Sequence, residues 1–127
     1  MPVVRKTISS VIEGRRVHTV TLQVSSSIWS PPTDAYETED ACVVRVELAG
    51  MREEDFEVAF ENNILRISGS RPDQPERRAY HQMEIRFGKF STSVAIWTPV
   101  DVDSATAVYK DGFLTVVLPK SQHSEVE

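Results

Sequence analysis

Apolar residues recur at every second position through several short stretches of this chain. Between residues 41 and 50, Cys42, Val44, Val46 and Leu48 fall on one face, opposite Ala41, Val43, Arg45 and Glu47, the period of a half-buried strand. Phe56, Val58 and Phe60 alternate with Glu57, Ala59 and Glu61, and a second apolar run, Ile64-Leu65-Arg66-Ile67-Ser68-Gly69, follows Asn62-Asn63. Asparagine tolerates positive φ, so the two runs predict a hairpin. A further hairpin is predicted at Asp111-Gly112, because a tight turn needs positive φ at both central residues. In its second strand Leu114, Val116 and Leu118 share one face while Phe113, Thr115 and Val117 share the other. Neither face is wholly polar, which suits a strand inside a sandwich, and Pro119 ends the pairing because it has no N–H to donate. No long stretch has a helical period. The expected fold is all-β, an immunoglobulin-like antiparallel β-sandwich of about seven to nine strands.

Three segments are expected: an arm over residues 1–28, a domain over 29–120 and a short tail over 121–127. Within the arm Val20, Leu22 and Val24 alternate strictly, and Glu13-Gly14-Arg15 is a candidate turn, so a loose hairpin is conceivable there. The Ser- and Pro-rich run from Ser25 to Pro32 breaks the composition and marks the boundary. Residues 70–88 are polar, with Pro72, Pro75, Arg77 and Arg78. That is too long for a tight hairpin, and loops of such length usually serve a function.

With 127 residues, one core is the sensible count. The net charge of -5 argues against a nucleic-acid partner, which demands a basic face. Cys42 is the single cysteine, so no disulfide forms within the chain and a reducing, cytoplasmic setting is expected. Its place on the apolar face favours a packed, inert thiol. No apolar run reaches the length of a membrane span. His18, His81 and His123 stand far apart without neighbours at metal-ligand spacing. There is no nucleophile elbow and no glycine-rich phosphate loop. The expectation is a protein that is not an enzyme and needs no cofactor or metal.

Several runs together resemble the α-crystallin domain of small heat-shock proteins of the bacterial and plant type. They are Trp29-x-Pro31-Pro32-x-Asp34-x-Tyr36-Glu37, Val46-Glu47-Leu48-Ala49-Gly50, Asn63-x-Leu65-x-Ile67-x-Gly69, Gly88-x-Phe90, and Ala107-x-Tyr109-x-Asp111-Gly112-x-Leu114-x-Val116-x-Leu118-Pro119-Lys120. The resemblance implies an ATP-independent holdase that binds partly unfolded client proteins and prevents their aggregation. It implies a groove between the strand of residues 56–61 and that of residues 107–109, with Val58, Phe60, Val108 and Leu114 as candidate walls, although periodicity assigns some of them to the core. It also implies that Tyr80, His81, Gln82, Met83 and Glu84 form a strand exchanged with a second subunit. Departures are visible: Thr92 and Ser93 stand where the family has an arginine, and Trp97 stands near where it has a proline. The tail 121–127 carries no Ile/Val-x-Ile/Val motif of the kind that builds large assemblies. A homodimer or small oligomer is therefore expected. Val20, Leu22 and Val24 of the arm are candidates to dock in the groove instead, and a paralogous small heat-shock protein is a candidate partner. The alternative is a CS-type co-chaperone domain that docks on another chaperone.

Overall fold

The computed structural model describes residues 4–7 and 27–121, the first of these by backbone alone. Eight strands run among them: β1 (Val4–Thr7), β2 (Thr33–Glu37), β3 (Ala41–Glu47), β4 (Phe56–Glu61), β5 (Ile64–Arg71), β6 (Gly88–Ala95), β7 (Thr106–Lys110) and β8 (Phe113–Pro119). They form two sheets, ordered β1-β7-β8-β3-β2 and β4-β5-β6, and every neighbouring pair is antiparallel. The all-β sandwich expected from the alternation is the observed one.

Both predicted turns form as the residue types require. Asn62 and Asn63 take φ of 52° and 66°, and Asp111 and Gly112 take 51° and 84°, the paired left-handed geometry of a two-residue hairpin. Gly112 also has little room, since a Cβ there would meet the Ala49 side chain at 3.3 Å. At Gly69 the constraint is a close approach, because an added Cβ would overlap the backbone carbonyl oxygen of Asp55. That hydrogen-only position lets the segment leading into β4 lie against β5.

The apolar faces of the two sheets meet in one core. Val44, Val46 and Leu48 pack with Phe56, Val58, Leu65, Ile67, Phe90, Leu114, Val116 and Leu118, and Cys42 lies buried among them. Trp29 belongs to this core as well: its ring lies 5.6 Å from that of Phe90 and its Nε1–H donates to the carbonyl of Gly88 at 3.1 Å. The backbone there forms an isolated parallel bridge with Phe90, so Trp29 covers the N-terminal half of the outer edge of β6. The segments after β3 and β6 cross from one sheet to the other, as a sandwich requires.

Residues 72–87 connect β5 to β6 without forming a strand in the single chain, and residues 72–86 are all exposed. Arg71 pins their base. Its Nε and Nη2 donate to the carbonyl of Arg86 at 3.0 and 2.7 Å, Nη1 donates to that of Ala49 at 3.3 Å, and its guanidinium lies 4.6 Å from the Trp29 ring centre.

Candidate functional site

A sandwich of open sheets has edges, and an edge strand presents unpaired N–H and C=O groups that another strand can take. Here the edges fall on two sides. On the first side β4 borders the smaller sheet and β7 would border the larger one, except that β1 pairs with it in the register Val4↔Tyr109, Arg5↔Val108, Lys6↔Ala107 and Thr7↔Thr106. On the second side β2 and β6 are the terminal strands.

The groove implied between β4 and β7 lies on the first side, but its walls differ from those expected. Val58 and Leu114 are 0% and 1% exposed and belong to the core, because the inward period of β4 and β8 continues through them. Val108 lies between the inward-facing Ala107 and Tyr109 and so faces the outer surface of the larger sheet, in register with Thr115. Of the expected set, Phe60 alone is half-buried at the margin of the core, joined there by Val102 and Tyr109. Tyr109 is fixed in place: its hydroxyl donates to the carbonyl of Leu48 at 2.6 Å and accepts from the amide of Met51 at 3.2 Å. Its ring sits edge-on to Phe56 at 5.3 Å. The signal that marks Tyr109 in sequence is its two-residue spacing from the fully buried Ala107.

The segment on the β7 edge is Val4–Thr7; Val20, Leu22 and Val24 lie outside the described residues. Its hold is weak by simple accounting. Each ladder bond contributes about 0.5–1.5 kcal/mol net and fixing each residue's backbone costs about 1–2 kcal/mol, so four paired residues stand within a few kcal/mol of balance.

On the second side, β2 and β6 are stitched at one end by a hydrogen bond between the Thr33 and Thr92 hydroxyls, 2.9 Å apart. At the other end Glu37 accepts from the Thr98 hydroxyl at 2.9 Å and pairs with the Lys120 ammonium at 3.0 Å. The Lys120 hydrogen bond first, the Thr98 hydroxyl next and the Lys120 charge last hold the Glu37 carboxyl below its ordinary pKa. Between these ties lies a cavity of about 250 Å³ whose apolar lining includes Ala35, Cys42, Val94, Ile96 and Trp97, with Tyr36 beside them. Trp97 is 75% exposed at its rim.

Tyr80, His81, Gln82, Met83 and Glu84 lie together in the exposed connection and meet no strand within the single chain. Met83 and Ile85 are 62% and 66% exposed, while Arg78 folds this segment on itself through Glu76 and the Tyr80 hydroxyl, each within 3.0 Å. Among the described residues there is no cluster of side chains suited to a metal ion, and no helix is long and apolar enough to cross a membrane.

Comparison with known proteins agrees with this geometry. The family model described as the Hsp20/alpha crystallin family matches residues 34–127. Small heat shock protein C4 of Rickettsia felis is 33% identical over 105 residues, covering 81% of this chain and 64% of the relative. Heat shock protein 16 of Schizosaccharomyces pombe is 35% identical over 102 residues, covering 77% and 71%. Among solved structures, heat shock protein 16.0 from Schizosaccharomyces pombe superposes with a TM-score of 0.67 at 34% identity, over 77% of this chain and 93% of that one. A small heat-shock protein from Xylella fastidiosa gives 0.68 at 28% identity, over 78% and 93%. The sandwich, its hairpins and the matched residues establish that this chain belongs to the Hsp20/alpha-crystallin family of small heat-shock proteins.

Proposed function

We propose that this protein is an ATP-independent holdase that covers exposed strands and apolar side chains of partly unfolded proteins and so slows their aggregation. The observation that carries the reading is the β7 edge beside half-buried Phe60, Val102 and Tyr109. Main-chain groups on an edge bind an extended segment without regard to its sequence, and an adjoining apolar margin accepts alternate side chains. Light scattering by reduced insulin, whose chains aggregate without heating, tests it. Stoichiometric protein without nucleotide should suppress the scattering, and unchanged scattering at several-fold excess would refute the reading.

The working unit in this proposal is a homodimer in which each connection 72–87 lays its apolar residues against β2 of the second copy. Chain geometry favours the second copy over the same one. Ile85 precedes Gly88 by three residues and Met83 by five, reaches of about 10 and 18 Å at full extension. Val94 stands six residues beyond Gly88, about 20 Å along β6, and Trp29 already lies on the intervening edge. The cavity wall is therefore beyond comfortable reach of its own loop, and a second copy can supply what fits.

A further inference from the structure

The edge assigned above to clients is already occupied, and the occupant is a segment of the same chain. Val4, Arg5, Lys6 and Thr7 pair antiparallel with Tyr109, Val108, Ala107 and Thr106, which converts β7 from a border strand into an interior one. A strand arriving from outside needs the same N–H and C=O groups, so the two cannot be paired with β7 at once.

We infer that β1 is a built-in, displaceable competitor for the β7 edge, and that a client strand adds to β7 only when β1 leaves. This rests on the client reading of that edge. Two features of the chain make β1 a competitor rather than a permanent strand. Its four residues contain one aliphatic, Val4, beside Arg5, Lys6 and Thr7, so it offers mainly main-chain bonds. An unfolding protein offers the same bonds together with apolar side chains at alternate positions, for which Phe60, Val102 and Tyr109 form a half-buried margin beside the edge. Residues 8–26 separate β1 from Ser27, a length of chain that allows β1 to come off without moving the sandwich. The departure of β1 opens no core, because the core residues come from β3 to β8 and from the segments joining them.

The test compares the intact chain with the double substitution Arg5→Pro and Lys6→Pro. One of two adjacent residues in an antiparallel strand points its N–H at its neighbour, so the pair of prolines removes a ladder bond whichever it is. Three readouts are taken. Hydrogen exchange at the amides of β7 should quicken at least tenfold in the variant while β3 and β8 stay protected. A fluorescent peptide of residues 1–10 should bind the variant at least tenfold more tightly than the intact chain, whose edge is filled. The variant should suppress insulin aggregation at several-fold lower concentration than the intact chain.

Unchanged exchange at β7, or equal affinity of the peptide for the two proteins, overturns the inference regardless of the insulin assay. Protection of β7 that rises with protein concentration also overturns it, since the strand would then come from a second copy. If neither protein affects insulin while the exchange and peptide results are as expected, the client reading fails and the competition at β7 stands.

Discussion

On one side of the sandwich β7 meets a strand of its own chain; on the other, among the described residues, β2 meets none. The two edges also differ in what accompanies them. Beside β7 lies a shallow margin of Phe60, Val102 and Tyr109, each packed on the core, and its occupant is a strand with one aliphatic residue. Beside β2 lies a cavity with a lining of Cys42, Val94 and Ile96, rimmed by an exposed tryptophan. Where an edge supplies chiefly backbone bonds, a partner gains little beyond the cost of ordering and exchange is easy. Where apolar side chains also enter a cavity, each contributes about 1.5–3 kcal/mol more, and the contact lasts. The contrast points to a changing partner at β7 and a lasting one at β2.

The largest expected effect tests whether the residues between the two sides belong to the core. Leu114→Ala removes a fully buried side chain and should cost about 2–5 kcal/mol, read as a lower midpoint of denaturant unfolding. A variant of unaltered stability that binds clients poorly would instead place Leu114 on the groove. Next in size is the lasting contact. Met83→Asp with Ile85→Asp puts two charges where the dimer proposal needs apolar side chains, and should raise the dissociation constant of the dimer at least a hundredfold. Sedimentation measures it, with the unfolding midpoint of the sandwich as control; an unchanged dimer removes the loop from the interface. In a Trp29→Phe background, Trp97 alone reports the same event, and its emission should shift to shorter wavelength as protein concentration rises through dimer formation. A spectrum independent of concentration would separate Trp97 from the contact.

A smaller effect is expected beside β7. Tyr109→Phe leaves the Leu48 carbonyl and the Met51 amide without their shared hydroxyl, a loss of about 1–2 kcal/mol. It should loosen the margin next to β7 and leave the dimer untouched, so a weakened dimer in this variant would undo the separation of the two sides.

The interior of the fold was more legible in the sequence than its edges. The turns at Asn62-Asn63 and Asp111-Gly112 are dictated by φ alone, and β3, β4, β5 and β8 carry apolar alternation because one face of each meets the core. Strand β2 carries no such signal: from Ala35 to Glu37 every residue is exposed, and it is a strand because β3 offers it partners. Strand β1 was equally silent for the same reason. Val58 and Phe60 share one periodic face, yet Val58 is enclosed and Phe60 is at the margin. Period assigns a face, while the end of a sheet decides whether that face is covered, and the end is set by pairing far along the chain.

The smallest expected effect concerns the tie that closes one end of the β2 cavity. Glu37 is held below its ordinary pKa by Lys120 first and by the Thr98 hydroxyl as well. A carboxylate with a depressed folded pKa contributes stability that is complete above its unfolded value of about 4.3 and is lost as pH falls through the folded one. Lys120 remains charged throughout this range, so protonation of Glu37 alone breaks the ion pair. The pair is exposed and screened, which limits its share of stability to a small one and makes a difference measurement necessary. Glu37→Gln keeps the shape and abolishes the titration. Thermal midpoints of the two proteins should differ most near neutral pH and converge below about pH 5, with the dimer weakening in parallel if the cavity depends on its closed end. Parallel midpoint curves through that range would show that the tie is incidental. Convergence without any change in the dimer would locate the tie in the fold of one subunit, and would leave the apolar cavity to hold the second copy by itself.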